Sequence, residues 1–174
     1  MQIGSACPDF DLPGTDGATH SLASFAAAEI LVVIVSCNHC PYVVAYEERI
    51  VALSRAYAAK GVRFVAINAN DVARYPDDAM PEMIRRAKDR GFDFPYLRDD
   101  SQQIARALGA RFTPEVYVFD RARKLRYHGR IDDNHRDARA VKSHDLRAAL
   151  DALVAGTSPP VTETQAVGCS VKWR

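Results

Sequence analysis

The sequence predicts an α/β domain: a central mixed sheet flanked by helices, with an N-terminal hairpin before it and a C-terminal tail after it. Three observations carry that prediction. Residues 30–35 (Ile-Leu-Val-Val-Ile-Val) are apolar throughout and mostly β-branched, the pattern of a central strand buried on both faces. Further short apolar runs alternate with longer amphipathic segments. Clusters of turn residues punctuate the chain between them.

In chain order, Pro13-Gly14-Thr15-Asp16-Gly17 is rich in turn formers and closes a hairpin. After the strand at 30–35, Val43, Tyr46, Ile50, Leu53 and Tyr57 recur at spacings of three and four, marking one face of a helix that Gly61 stops. Residues 62–67 read as a second strand. A helix over 80–90 follows, with Asp77, Asp78 and Pro81 at its start and Gly91 beyond its end. A short strand precedes Ser101, which is expected to cap a short helix over 102–108. Two strands, 115–119 and 124–127, are joined by a tight polar turn. The last helix carries Leu146, Ala149, Leu150 and Leu153, and Thr157-Ser158-Pro159-Pro160 then breaks it. The expected division is one domain over residues 1–155 and a tail over 156–174 that holds Cys169.

Composition narrows the possible partners. The chain has 174 residues, 48% of them hydrophobic, enough for one sizeable core, and a formal net charge of +1. Acidic and basic residues are interspersed, so nothing argues for nucleic acid or an anionic membrane as partner. The densest basic cluster, Arg121, Arg123, Lys124 and Arg126, is interleaved with Leu125 and Tyr127 and reads as a solvated hairpin face. No secretory leader is visible at the N-terminus and no apolar stretch could span a bilayer, which leads to the expectation of a cytoplasmic protein. Four cysteines are too few for a disulfide-stapled scaffold of this length. In a reducing compartment, closely spaced cysteines point to catalysis or metal binding.

Cys37-Asn38-His39-Cys40 is the motif that carries chemistry. It falls between the buried strand and the helix, so Cys37 is expected to open that helix. There the unpaired N–H groups and the helix dipole would favour its thiolate. Cys40, three residues on, is close enough to form a disulfide with it. The reading makes Cys37 the nucleophile and Cys40 the resolving thiol, with a protonated His39 stabilising the thiolate. A zinc site would need two further ligands. His128, His135 and Cys169 show no paired ligand spacing, so neither metal nor organic cofactor is expected.

Thr113-Pro114 is the second element. A proline at the start of the strand 115–119 is read as a cis bond. Pro114 would pack against the disulfide and present backbone for substrate pairing.

These motifs resemble the thioredoxin superfamily over most of the chain: strand, C-x-x-C, helix, and later Thr-Pro with a β-hairpin. More narrowly, the sequence is similar to the peroxiredoxin-like redoxin group of alkyl hydroperoxide reductase/thiol-specific antioxidant domain proteins. The matching stretches include Cys7-Pro8-Asp9-Phe10, Ala66-Ile67-Asn68-Ala69-Asn70-Asp71, Phe94-Pro95-Tyr96-Leu97, Gly129-Arg130-Ile131-Asp132-Asp133 and Gly168-Cys169-Ser170-Val171-Lys172-Trp173. The resemblance implies a thioredoxin-like fold and a redox activity. Two departures stand out. Peroxiredoxins carry Pro-x-x-x-Thr-x-x-Cys at the peroxidatic cysteine, and aligned on Cys37 those positions are Ile30 and Ile34. Thioredoxins often carry a buried acid six positions before the first cysteine, where this chain has Leu31. Another group, or water, must then take the resolving thiol's proton.

The resulting expectation is a thiol–disulfide oxidoreductase acting on protein or small-molecule disulfides and regenerated by a cellular dithiol. The alternatives are a thiol peroxidase that reduces hydroperoxides through Cys37, and a non-catalytic redox sensor. Asn38, Thr113 and Cys169 are accessory candidates. Cys169 would resolve a Cys37 sulfenic acid or receive a disulfide from Cys40, with Trp173 pinning the tail to the body. Cys7 is expected to be buried and inert. Asn68, Asn70 and Asp71 read as a turn and a helix cap, and Asp132, Asp133, Asn134 and His135 as a polar loop. Arg111 and Phe112 would shape the groove beside Pro114.

Overall fold

Residues 1–174 are described by a computed structural model. The hairpin comes first, as β1 (Asp11–Pro13) and β2 (Thr19–Ser21), followed by β3 (Ile30–Ser36), α1 (Pro41–Ala58) and β4 (Val62–Asn68). Next are α2 (Met80–Asp89), β5 (Tyr96–Arg98), α3 (Gln103–Leu108), β6 (Phe112–Thr113) and β7 (Glu115–Phe119). The chain ends with β8 (Leu125–Gly129), α4 (Asp145–Val154) and β9 (Cys169–Ser170). The main sheet has the order β5-β4-β3-β7-β8. β4 and β5 run parallel to β3, and β7 and β8 antiparallel, so the sheet is mixed as expected.

The apolar run of β3 explains why the sheet is covered on both sides. Successive side chains of a strand point to opposite faces. Ile30, Val32 and Ile34 join α1, α4 and Met83 of α2 in one core. Leu31, Val33 and Val35 join Phe10, Leu12, Phe25, α3 and Val171 of the tail in the other. The expected stripe on α1 is correct, since Val43, Tyr46, Ile50, Leu53 and Tyr57 are all buried.

Both edges of the sheet are covered by segments outside it. At β5, the amide of Thr15 donates to the Tyr96 carbonyl, and Gly14 bridges Leu97. At β8, Gly4 and Ser5 exchange backbone hydrogen bonds with Leu125. Thr162 and Thr164 of the tail do the same with His128.

Two local expectations fail for identifiable reasons. The helix after the cysteine motif begins at Pro41, with Cys40 as its N-cap, so Cys37 does not open it. Pro41 lacks an N–H and has its φ preset for the first helical position, which fixes the start there. Ser101 is also not the main cap of α3. Asp99 Oδ2 accepts from the amides of Ile104 and Ala105 at 3.0 Å each, and Gln102 is the N-cap in the left-handed region at φ 62°. A carboxylate accepts two amides at once, whereas the Ser101 hydroxyl accepts only the Gln103 amide.

Phe64 on β4 is buried between the sheet and Phe94. Phe64→Ala is expected to lower unfolding stability by about 3–5 kcal/mol, the usual cost of a large-to-small change in a packed core. Urea denaturation followed by far-ultraviolet circular dichroism measures it.

Candidate active site

The loop between β3 and α1 is held in place by one buried carboxylate. Asp78 lies in a single 3-10 turn (Pro76–Asp78) before α2 and is 0% exposed. Its Oδ1 accepts from the backbone amide of Asn38 at 2.6 Å and from Asn68 Nδ2 at 3.0 Å. Its Oδ2 accepts from Asn70 Nδ2 at 2.9 Å and lies 2.7 Å from His39 Nδ1. Four partners leave neither oxygen bare, which is what a buried carboxylate requires. Around it, Asn38 Nδ2 donates to the Asp77 carbonyl and Tyr96 Oη donates to Asn38 Oδ1. The His39 ring stacks on Tyr75 at 5.1 Å. The loop is therefore fixed from below before either cysteine is considered.

Above this network sit the two thiols. Cys37 is 2% and Cys40 0% exposed. Cys37 Sγ lies 3.3 Å from Thr113 Oγ1, and Cys40 Sγ lies 3.1 Å from the Thr113 carbonyl oxygen. The Thr113-Pro114 peptide is cis, as expected from the sequence. Its loop is braced by Glu115, whose Oε2 accepts the amides of Arg111 and Phe112 and whose Oε1 meets His128 Nε2 at 2.7 Å.

The two thiols govern each other's ionisation. The Cys40 thiolate is favoured, first by the Cys37 thiol hydrogen and against the opposing pull of burial. Cys169 and the Val43 amide in the first turn of α1 add to it. Cys37 is pushed far up, because it holds its proton for Cys40, is buried, and faces the negative charge of Asp78, although Thr113 pulls the other way. Two adjacent sulfurs in one buried site share a single negative charge, so ionising one holds the proton on the other.

Cys169 completes the group. Strand β9 pairs antiparallel with β6, placing Cys169 opposite Thr113, and the half-buried Cys169 side chain packs on Cys37, Cys40 and Val43. The tail is fastened on both sides. Val171 donates to the Arg111 carbonyl at 3.0 Å, Lys172 donates to Asn70 Oδ1 at 2.8 Å, and Arg106 lies over the Trp173 ring at 4.4 Å. The expectation that Trp173 pins the tail is met.

Thus Cys37, Asn38, His39, Cys40, Thr113 and Cys169 converge on one site beside the Thr113-Pro114 peptide. Cys7 lies elsewhere, in the second core, with burial pushing its thiol up to about 12. Arg111 and Phe112 form the rim next to β9. Asp132 is tied to Tyr46 and Arg49 at 2.9 and 2.6 Å, so that loop is bound into the fold. Among the basic cluster, Arg126 meets Asp120 and Arg123 holds the carbonyls of Phe25 and Ala28.

Sequence reasoning missed Asp78, Tyr96 and the roles of Asn68 and Asn70. Asp77 and Asp78 stand before α2 and read as helix-dipole partners, but Asp78 points the other way. A cluster of His, Cys and Asp does exist here, because ligand atoms of Cys37, His39 and Asp78 lie within 4.8 Å of one another. Both Asp78 oxygens already hold two partners each, so this set does not fit a metal. On its outer side His39 faces a polar cleft of about 490 Å³, lined by Asp77, Glu82, Arg86 and other charged side chains. No helix is long and apolar enough to cross a membrane.

A mixed sheet with a C-x-x-C loop at a helix start, set against a cis Thr-Pro peptide, is a thioredoxin-like arrangement. The Redoxin family model matches residues 2–149, and the chain belongs to that family. A hypothetical protein from Sinorhizobium meliloti 1021 is 37% identical, with a TM-score of 0.94 over 100% of this chain and 96% of that one. Peroxidoxin BcpB from Mycobacterium tuberculosis is 20% identical, with a TM-score of 0.61 over 72% and 83%. A thiol:disulfide interchange protein of the thioredoxin family from Chlorobium tepidum TLS is 21% identical, with a TM-score of 0.59 over 72% and 84%. The last two show the shared fold. No curated protein matches the chain.

Replacing Asp78 by Asn turns one acceptor into a donor facing donors. Asp78→Asn is expected to cost about 1–3 kcal/mol of stability, read by urea denaturation. It is also expected to make Cys37 ionise more readily, at lower pH, because a nearby negative charge that opposes its thiolate disappears. Thiolate absorbance in the ultraviolet, titrated from acid to alkaline pH in wild type and variant, measures the second effect.

Proposed function

We propose that the protein is a thiol–disulfide oxidoreductase whose redox-active pair is Cys37 and Cys40. The observation that supports it most is two buried sulfurs packed together against Thr113. A disulfide presented along the Thr113 backbone meets the Cys40 thiolate. Cys40 attacks one sulfur, a mixed disulfide forms, and the other sulfur leaves as a thiolate. Cys37 then attacks Cys40, expels the second substrate sulfur and closes the Cys37–Cys40 disulfide. Two electrons pass to the substrate, and a cellular dithiol restores the pair.

This assigns the first attack to Cys40, the sulfur that lies against the Thr113 carbonyl in the cluster Cys169 packs on, and the resolution to Cys37, the reverse of the order read from the motif. Cys37 must lose a proton to resolve. Once Cys40 is in a disulfide it carries no charge, so one of the causes holding that proton on Cys37 is removed. His39, which has a ring nitrogen within 4.8 Å of the Cys37 sulfur and is held by Asp78, is the group we assign to take it, in the place of the acid that position 31 lacks. Pro114 positions substrate by keeping the Thr113 carbonyl turned to the sulfurs, and His39 holds the loop through Asp78. Protein or small-molecule disulfides are the substrate class, and we place the activity in the cytoplasm.

The alternative is a thiol peroxidase, in which the same thiolate attacks a hydroperoxide. Parallel assays of disulfide reduction and hydroperoxide consumption separate the two. Wild type is expected to reduce disulfides. Cys37→Ser and Cys40→Ser should each lose at least about two orders of magnitude in turnover. Hydroperoxide turnover without disulfide turnover would overturn the reading.

A further inference from the structure

We propose that Cys169 is a third redox-active cysteine and the port through which outside disulfides reach the buried pair. This rests on Cys37 and Cys40 being the redox pair, and it names how that pair is reached.

The argument is one of access and placement. Cys40 is fully buried and Cys37 nearly so, while Cys169 is half-buried. Thr113, the residue along which a presented disulfide would lie, is already paired with Cys169 through β6 and β9. The seat is cut closely. A Cβ on Gly168 would collide with the carbonyl carbon and oxygen of Thr113, so only glycine lets the tail backbone lie on that peptide. Its hold is extended by the Val171, Lys172 and Trp173 contacts. The tail therefore places a cysteine where a substrate cysteine would have to be, and its sulfur rests on the Cys40 cluster.

Three exchanges connect outside to inside. The Cys169 thiolate attacks an outside disulfide R–S–S–R′, so that Cys169–S–S–R forms and R′S⁻ leaves, taking the proton Cys169 gave up. The Cys40 thiolate attacks the Cys169 sulfur, the Cys40–Cys169 bond forms, and RS⁻ leaves to be protonated by solvent. Cys37 attacks Cys40, the Cys37–Cys40 bond forms, and Cys169 leaves as a thiolate that takes the Cys37 proton. Two electrons have moved from the pair to the outside disulfide. A dithiol reductant runs the same steps backwards.

The resting protein restrains the first step. Burial, then the Cys40 sulfur beside it, pushes the Cys169 thiol up to about 11, with Lys172 pulling the other way. A raised value means less thiolate at neutral pH, so the first step accelerates as pH rises towards about 11.

Oxidised glutathione serves as the outside disulfide, and non-reducing peptide mass spectrometry reads the bonds. Cys40→Ser should trap glutathione on Cys169, and Cys37→Ser should accumulate the Cys40–Cys169 disulfide. Cys169→Ser should still close Cys37–Cys40, but at least about tenfold more slowly, having lost the high effective concentration of a tethered thiol. Gly168→Val alters no sulfur, and unseating the strand should abolish the Cys40–Cys169 bond. Closure of Cys37–Cys40 at the wild-type rate in Cys169→Ser, or glutathione trapped on Cys37 in Cys40→Ser, would overturn the port while leaving the pair intact. Failure of wild type itself to form Cys37–Cys40 would instead overturn the underlying reading.

Discussion

A carboxylate with no water around it must find donors within the protein, and the site is organised by how Asp78 meets that demand. Its four partners come from the cysteine loop and from the end of β4. The loop that carries both sulfurs is thereby tied to the C-terminal end of the parallel strands, where open α/β sheets place their chemistry. Asn70 extends the same network to the tail, since its amide nitrogen serves Asp78 and its oxygen receives Lys172. One charge thus couples the motif, the sheet and the segment that covers them. A second buried carboxylate, Glu47, clamps α1 to α2 through Arg86 at 2.6 and 2.8 Å.

The fold was legible because it follows from patterns with a short physical reach. β3 is apolar from Ile30 to Val35, so it had to be central. The stripe on α1 follows helical spacing, and Gly61 ends that helix region at φ 78°. The site was legible in part. Cys37, Cys40 and Thr113-Pro114 announce themselves as residue types in an order. Asp78 did not, because an acid ahead of a helix reads the same whether it faces the helix dipole or turns inward. Only the packing of Asn38, Asn68 and Asn70 decides between the two.

The starting point of α1 shows how one residue shifts chemistry. A helix beginning at Cys37 would have favoured its thiolate. With Pro41 fixing the start, Cys40 is the N-cap and the first-turn amides lie next to it, where the Val43 amide favours its ionisation. The C-x-x-C spacing alone holds no information on that choice. Cys169 was visible in the sequence as a possible relay, but its register opposite Thr113 depends on Gly168, whose lack of a side chain carries meaning only once the strands are paired.

The covered edges of the main sheet bear on how the protein behaves in company. A sheet edge with unpaired amides and carbonyls is a template on which another chain can extend the ladder. Here the residues after β1 lie along β5, and the N-terminal segment and the tail lie along β8. The tail therefore does double duty, guarding the sulfurs at one point and closing the sheet at another. A change that unseats it at Thr164, where it lies against Gly129, would bare a strand edge as well as loosen the tail. Such a protein would be prone to self-association through its backbone even with every cysteine intact.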